Sequence, residues 1–466
     1  HPCEPRKPAL CKNALDVVHC LTHNDRAMTN SFPLGRALDL SACSWQFGSA
    51  PAQPWPTAAH APAPFDLAAV PEWLPATVPG DVHSDLLAAG RISDRHLGDG
   101  LEACRWVESV DWWDRTRLPL DLQPGQRALL EFDGIDYLSA VFVDGCELSR
   151  HEGMFSRQVI ELPAELAGRA EVELAVRIWR SAALPRYAQR LWERLWGAAA
   201  SMAQGTFRPF DDRLATLKTP MHFGWDFAPR LRAMGIWDDA RLVICNGVYV
   251  CDVQVQAEPL GTATPGLALP ADPGPAAVRL RLALDSDKAP PVTAHVAIQP
   301  VNGDQVEGWR LDFPLRLAAG RSEHVLAFDL PAARLWQPWE RGEPCLYQLD
   351  VTLHQAGSVG DRPEQLRTPR SGRSLTEPAP ISSCSGRSLT EPAPLDALTT
   401  RFGVRQVETQ PTDQGHPWRV VVNGYPLFLR GVNWVPVDAL AGRVSAERTA
   451  ALLNQARTAV TVNSTA

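Results

Sequence analysis

The chain has 466 residues, room for about three domains with sizeable cores. Its 45 Lys and Arg against 53 Asp and Glu leave a formal net charge of -8, so no basic surface is available to collect phosphates and nucleic acid is not an expected partner. The longest apolar runs, VVVNGYPLFLRGVNWV among them, are broken by Asn, Gly and Arg well short of the roughly 20 residues that span a bilayer, so no membrane partner is expected either.

Residues 1–27 mix Pro, Cys, His and charges with no helical or strand period, and they lack the charged-then-apolar order of a signal peptide. They read as a non-native or disordered leader, with Met28 as the start of native sequence. The ten Cys are scattered without a CxxC pair, so no zinc site or disulfide framework is readable. That favours a reducing, cytoplasmic setting and implies neither metal nor other cofactor. Only four of the basic residues are Lys (Lys7, Lys12, Lys218 and Lys288), a bias read here as base composition. Most of the 16 Trp are expected in cores, although a flat indole can also stack on the apolar face of a ring.

Residues 28–247 alternate short β-rich runs with Pro, Gly and Asp turns, the pattern of an antiparallel sandwich. In RALLEFDGIDYLSAVFVDGCEL a turn is expected at Asp133-Gly134 and a hairpin at Asp144-Gly145. A helical insertion is expected from about Pro185 to Ala203, with Leu191, Trp192, Leu195 and Trp196 on one face. A second β-domain over 248–404 has runs such as AVRLRLALDS, VTAHVAIQP, HVLAFDL and YQLDVTL at the spacing of an immunoglobulin-like sandwich. Its length fits if residues 356–398 are a disordered insert, in which SGRSLTEPAP begins at Ser371 and again at Ser385. Residues 405–466 give a hairpin turning at Asn423-Gly424, an apolar strand FLRGVNWV and an amphipathic helix from about Ser445. Strand then helix opens an α/β domain, and so few residues cannot close a (β/α)₈ barrel of roughly 250. The fold expected is therefore mainly β: a jelly-roll-like sandwich, an immunoglobulin-like sandwich, then the opening strand and helix of an incomplete barrel.

Three stretches carry the chemistry: VPGDVHSDLLAAGRISD from Val78 with WVESVDWW from Trp106, then HFGWDFAPRLRAMGIWDDARL from His222, then FLRGVNWVPVDAL from Phe428. A sugar presents an apolar face of C–H groups and a rim of hydroxyls, so its site needs an aromatic plane beside a fixed carboxylate or amide. Trp225-Asp226 offers that pair in a tight turn between Gly224 and Pro229; the alternative is a core Trp with an Asp capping its own turn. Asp111, Asp133 and Asp136 read as turn residues. His83 and His222 read as satisfied structural histidines, and Asp438 reads as the cap of a short turn.

In order and spacing, the three stretches resemble the β-mannosidase branch of glycoside hydrolase family 2, from Leu38 to about Ala459 apart from the insert. The resemblance implies an exo-acting, retaining glycosidase that removes terminal β-D-mannose from an oligosaccharide or glycan. It further implies that Asp226 binds hydroxyls of that mannose beside Trp225, and that Asn433 and Trp434 wall the same subsite at a barrel strand end. The family's two catalytic Glu lie on later barrel strands, so no Asp or Glu of this chain is expected to be catalytic and the chain is expected to be an N-terminal fragment. The competing readings are a stand-alone carbohydrate-binding or scaffold protein of two sandwiches, and another family 2 exo-glycosidase.

Overall fold

The computed structural model describes residues 37–56, 63–95, 97–181, 216–226, 228–261, 272–301, 308–338, 341–342, 344–356, 394–411, 418–429 and 433–463. The leader 1–27, the helical segment expected over 185–203 and both copies of the repeat, save the last residue Pro394, lie outside them. The described chain is mainly β and divides into two compact units, one holding Leu34–Cys245 with Val435–Ala466, the other holding Asn246–Trp434.

The first unit contains β1 (Ala37–Asp39), β2 (Trp45–Ala50), β3 (Leu74–Ala76), β4 (Asp111–Pro119), β5 (Arg127–Phe132), β6 (Ile135–Asp136), β7 (Leu138–Val143), β8 (Cys146–Glu152), β9 (Gln158–Glu161), β10 (Glu171–Ile178), β11 (Gly235–Ile236) and β12 (Ala240–Cys245). They make a four-stranded sheet in the order β1-β12-β5-β9, a six-stranded sheet in the order β3-β2-β4-β10-β7-β8 and a small β11-β6 pair, antiparallel throughout. Leu130, Phe132 and Leu242 from one sheet meet Trp112, Leu118, Val141 and Val176 from the other in the core between them. Every residue of β7 is buried because both of its faces are covered. Leu138, Ala140 and Phe142 point away from the main core into a second apolar cluster, with Trp113, Trp179, Trp55 and Phe65. The turn at Asp144-Gly145 closes the β7–β8 hairpin as expected, with both residues at positive φ. The turn at Asp133-Gly134 joins β5 to β6 as the chain leaves one sheet for the other. Helix α1 (Val82–Ala88) is capped by Asp81, whose Oδ1 accepts from the backbone N–H groups of His83 at 3.0 Å and Ser84 at 3.1 Å.

The second unit contains β13 (Val248–Pro259), β14 (Gly274–Ser286), β15 (Pro291–Pro300), β16 (Trp309–Arg316), β17 (Gly320–Ala333), β18 (Tyr347–Gln355) and β19 (Asp396–Phe402). Three antiparallel strands, β13-β14-β17, form one sheet and four, β16-β15-β18-β19, the other, the strand count of an immunoglobulin-like sandwich. Alternation decides which face goes in: Tyr347, Leu349, Val351 and Leu353 of β18 are buried, while Gln348, Asp350 and Thr352 between them are partly exposed. The expected insert ends earlier than 398. Asp396 opens β19 and its carboxylate accepts the Val250 N–H at 2.7 Å, while Leu395 before it donates to the Leu353 carbonyl at 2.7 Å and accepts the Asn246 N–H at 2.9 Å.

A three-stranded meander follows, β20 (Val407–Gln410), β21 (Arg419–Val422) and β22 (Tyr425–Leu427). Its Asn423-Gly424 turn has φ of 49° and 83°, the arrangement that an Asn-Gly hairpin favours. The barrel strand expected at FLRGVNWV does not form in the described residues there: Phe428, Leu429 and Asn433–Val435 are not paired. A parallel strand needs a neighbour for its N–H and C=O groups, and among the described residues none is beside it. The helix expected from about Ser445 is present as α2 (Ala446–Asn463). Ser445 caps it, with Oγ accepting from the Arg448 N–H at 3.2 Å. Among the described residues no helix is long and apolar enough to cross a membrane.

Candidate functional site

A single turn of 3₁₀ helix, Pro220–Phe223, delivers the chain to Trp225. Phe223 is buried in the apolar cluster outside the six-stranded sheet, so the start of the loop is fixed. Gly224 then takes a φ of 96°, which a residue with a Cβ adopts only under strain, and redirects the backbone outward. The turn is closed by its own backbone: Trp225 N–H donates to the Ala228 carbonyl at 3.0 Å, and Ala228 N–H returns the bond at 3.3 Å. Trp225 is 49% exposed and Asp226 is exposed at the tip. A core Trp is therefore not what the sequence places here; the turn carries an exposed indole and, next to it in sequence, an exposed carboxylate.

Behind this turn lies a buried polar node. Lys218, fully enclosed, donates to the Asp136 carboxylate and to the Ala233 carbonyl at 2.6 Å. His222 donates from Nε2 to the Ala439 carbonyl at 2.8 Å, since a carbonyl can only accept, and its Nδ1 lies 3.7 Å from Asp136 Oδ2. Arg95 approaches Asp438 at 3.7 Å, and Asp438 Oδ1 accepts the Leu440 N–H at 3.0 Å, the capping role expected of it. Arg230 grips Glu108 with two bonds, at 2.9 and 2.6 Å. Burial pushes the Asp136 carboxyl up and the Lys218 amine down, each opposed by the other's charge. Burial, with Arg95 and Lys218 nearby, pushes His83 down to about 4, and burial, with Lys218 nearby, pushes His222 well below the ordinary value. Both rings are thus neutral near pH 7. Among the described residues no group of His, Cys, Asp and Glu is arranged to hold a metal ion.

Three residues correct the sequence reading. Asp136 is no turn residue but the buried partner of Lys218. Asp111, also completely buried, holds Arg177 at 2.6 Å and accepts backbone N–H groups from Gln53 and Arg180, both at 2.9 Å. Both carboxylates are placed by distant cations, which local turn chemistry cannot reveal. His83 is buried yet neither ring nitrogen has a hydrogen-bond partner, so it is not a satisfied histidine. Asp133 does sit at its expected turn, where it also takes two bonds from Arg241.

Trp225 and Asp226 are neighbours in one turn of the first unit. Asn433, exposed, and Trp434, partly buried, belong to the second, and each pair is described by itself. The Lys218–Asp136–His222 node escaped sequence reasoning, although one signal was present. Where Arg is the default cation, one of only four Lys marks a place that needs a compact ammonium.

Residues 45–238 match the family model of the glycosyl hydrolase 2 galactose-binding domain-like domain. The β-mannosidase B of Aspergillus terreus is 25% identical over 399 residues, 81% of this chain and 38% of the relative; that of Aspergillus fumigatus is 25% identical over 395 residues. Over most of its length the chain is thus similar to β-mannosidases of glycoside hydrolase family 2. Among solved structures, the β-D-mannosidase of Dictyoglomus thermophilum superposes with a TM-score of 0.62 at 24% identity, covering 90% of this chain and 42% of that one. The exo-chitosanase of Amycolatopsis orientalis gives 0.57 at 20%, covering 88% and 38%. At these identities the structural likeness speaks for the fold. The β-mannosidase-like chain spans well under half the length of the curated relatives it matches.

Proposed function

We propose that the chain is the noncatalytic N-terminal part of an exo-acting, retaining β-mannosidase whose substrate is a glycan ending in β-D-mannose. Its parts are a sugar-binding-like jelly-roll sandwich over 28–247, an immunoglobulin-like sandwich over 248–404 and the start of a catalytic barrel over 405–466. The observation that carries the reading is the exposed Trp225-Asp226 pair on an anchored turn, in a chain similar to β-mannosidases over four-fifths of its length. In this reading the Trp225 indole stacks on the C–H face of the sugar and Asp226 accepts from two neighbouring hydroxyls. Asn433 and Trp434 are assigned to substrate binding as well, on the resemblance alone. Retention requires two carboxyl groups roughly 5–5.5 Å apart, which the proposal assigns to Glu residues outside these 466.

The purified 466-residue polypeptide is accordingly expected to release no nitrophenol from an aryl β-mannoside; turnover that survives repurification overturns the reading. Where these residues are joined to a complete barrel, Asp226→Ala is expected to lower kcat/KM by about 1.5–3 kcal/mol, tenfold or more. Its stability should stay unchanged, because an exposed turn carboxylate holds no core together. Wild-type kinetics in the variant, or a loss that unfolding fully explains, refutes the assignment.

A further inference from the structure

The loop that leads to Trp225 and the segment around Ala439 are joined through one side chain. We propose that His222 is a positioning residue, a clasp that fixes residues 438–440 against the loop and so sets the aim of the Trp225-Asp226 turn. The idea rests on the functional reading for what the turn does; the clasp itself stands on geometry.

The bond from His222 Nε2 to Ala439 crosses 217 positions of sequence and is buried at its His end. On the loop side the ring cannot drift. Met221 and Phe223 flank it, both buried, and Gly224 bends straight into the turn. Its other nitrogen faces Asp136, which Lys218 holds, with His83 of α1 and, beyond it, Arg95 and Asp81 on the same side. On the segment side Asp438 is held by its bond to Leu440 N–H and by Arg95, and Leu440 is fully buried with Leu231 and Ala233. Gly442 presses so closely on Gly80 that a Cβ there would come within 2.6 Å of the Gly80 carbonyl. The segment is therefore seated by apolar contact, and His222 supplies the directional bond that sets where along the loop it sits. An apolar replacement would keep the contact and lose the register, because the partly buried Ala439 carbonyl would lose the His222 bond.

The test uses the whole chain with His222→Leu, His222→Asn and His222→Gln. A Gln amide nitrogen reaches the place of Nε2, whereas that of Asn stops at the place of Nδ1. Two readouts apply: hydrogen exchange of the Leu440, Arg443 and Val444 amides against amides of β10, and the indole N–H resonance of Trp225, assigned with Trp225→Phe. The Leu and Asn variants should exchange at 440–444 tenfold faster or more and shift the Trp225 resonance, with β10 unchanged. The Gln variant should stay within threefold of wild type on the first readout and unshifted on the second. If the Leu variant fails to fold, Gln against Asn decides. Equal protection in those two, or an unmoved Trp225 resonance in the Asn variant, overturns the proposal. Asp226→Ala leaves these readouts in place, so the clasp and the sugar reading can fail independently.

Discussion

At the scale of single residues, the first unit is notable for how much charge it encloses. Taking one partner from a buried ion pair strands the other, which typically costs about 3–5 kcal/mol, whereas replacing both by apolar groups can be nearly neutral. Lys218→Met should therefore destabilise the first sandwich by about that amount, and Lys218→Met with Asp136→Leu should recover most of it; urea unfolding measures both. Asp114 and Asp85 give a second expectation. Burial, with Asp85's charge beside it, raises Asp114 to about 8, and burial, with Asp81's charge beside it, raises Asp85 to about 7. Unfolded, each loses its proton near 3.8, so above that the fold binds more protons and stability falls as pH rises. His83 has the opposite sign: with a folded value of about 4 against 6.5, it withdraws stability as pH falls through that window. The two effects oppose one another below 6.5 and the carboxyls act unopposed by His83 above it. Stability should decline from pH 6.5 to 8, by at most about 1.4 kcal/mol per pH unit for each titrating carboxyl, and Asp114→Asn should flatten the decline. A flat wild-type profile would contradict the buried, protonated state of Asp114. None of this was legible in the sequence, because Asp114 lies among ordinary strand residues and its burial comes from Phe47 and Val176 on the strands to either side.

At the scale of elements, the sequence was legible where one periodicity prevails. Strands β14 and β18 alternate cleanly, and each was found within a few residues of its true ends. The Asn423-Gly424 turn was readable for the same local reason, yet its tertiary duty was not. Asn423 is buried, accepts the Gln406 N–H at 2.9 Å and donates to the Trp336 carbonyl at 2.9 Å, tying the meander to the sandwich of its own unit. Asn423→Ala would leave an L-residue at a φ of 49° and remove both bonds. It should lower the unfolding free energy of the second unit by about 2–4 kcal/mol, with Asn423→Asp milder because it keeps the acceptor. Circular dichroism melts of both variants test this; equal Tm values for Ala and wild type would mean that the turn is held from elsewhere. The stretch after β22 shows the opposite limit. FLRGVNWV has the composition of a strand, but composition does not supply a partner, and pairing is what makes a strand.

At the scale of the whole chain, the three stretches singled out for their chemistry were found without their connections. In the first unit, Gly80 and Asp81 of the first stretch, His222 to Leu231 of the second and Asp438 to Leu440 of the third come together, a convergence that depends on the sandwich topology and on no local signal. Residues 435–466 are thus part of the first unit's packing, and removing them exposes its consequences. A chain ending at Trp434 would uncover Leu231 and Ala233, strip away the fully buried Leu440 and leave His222 Nε2 without its acceptor. Burial of one Leu is worth about 1.5–3 kcal/mol and an orphaned buried donor costs about 1–3 kcal/mol, so the first sandwich should lose roughly 3–5 kcal/mol, with overlap between the terms. The second sandwich encloses a core of its own, from Val250 and Leu282 to Leu349 and Leu398, and contributes nothing to that loss. Denaturant unfolding followed by exchange at β10 and β18 should show the first strand losing protection at lower urea in the shortened chain and the second at the same urea as before. Equal shifts of both, or none, would mean that 435–466 does not belong energetically to the first unit.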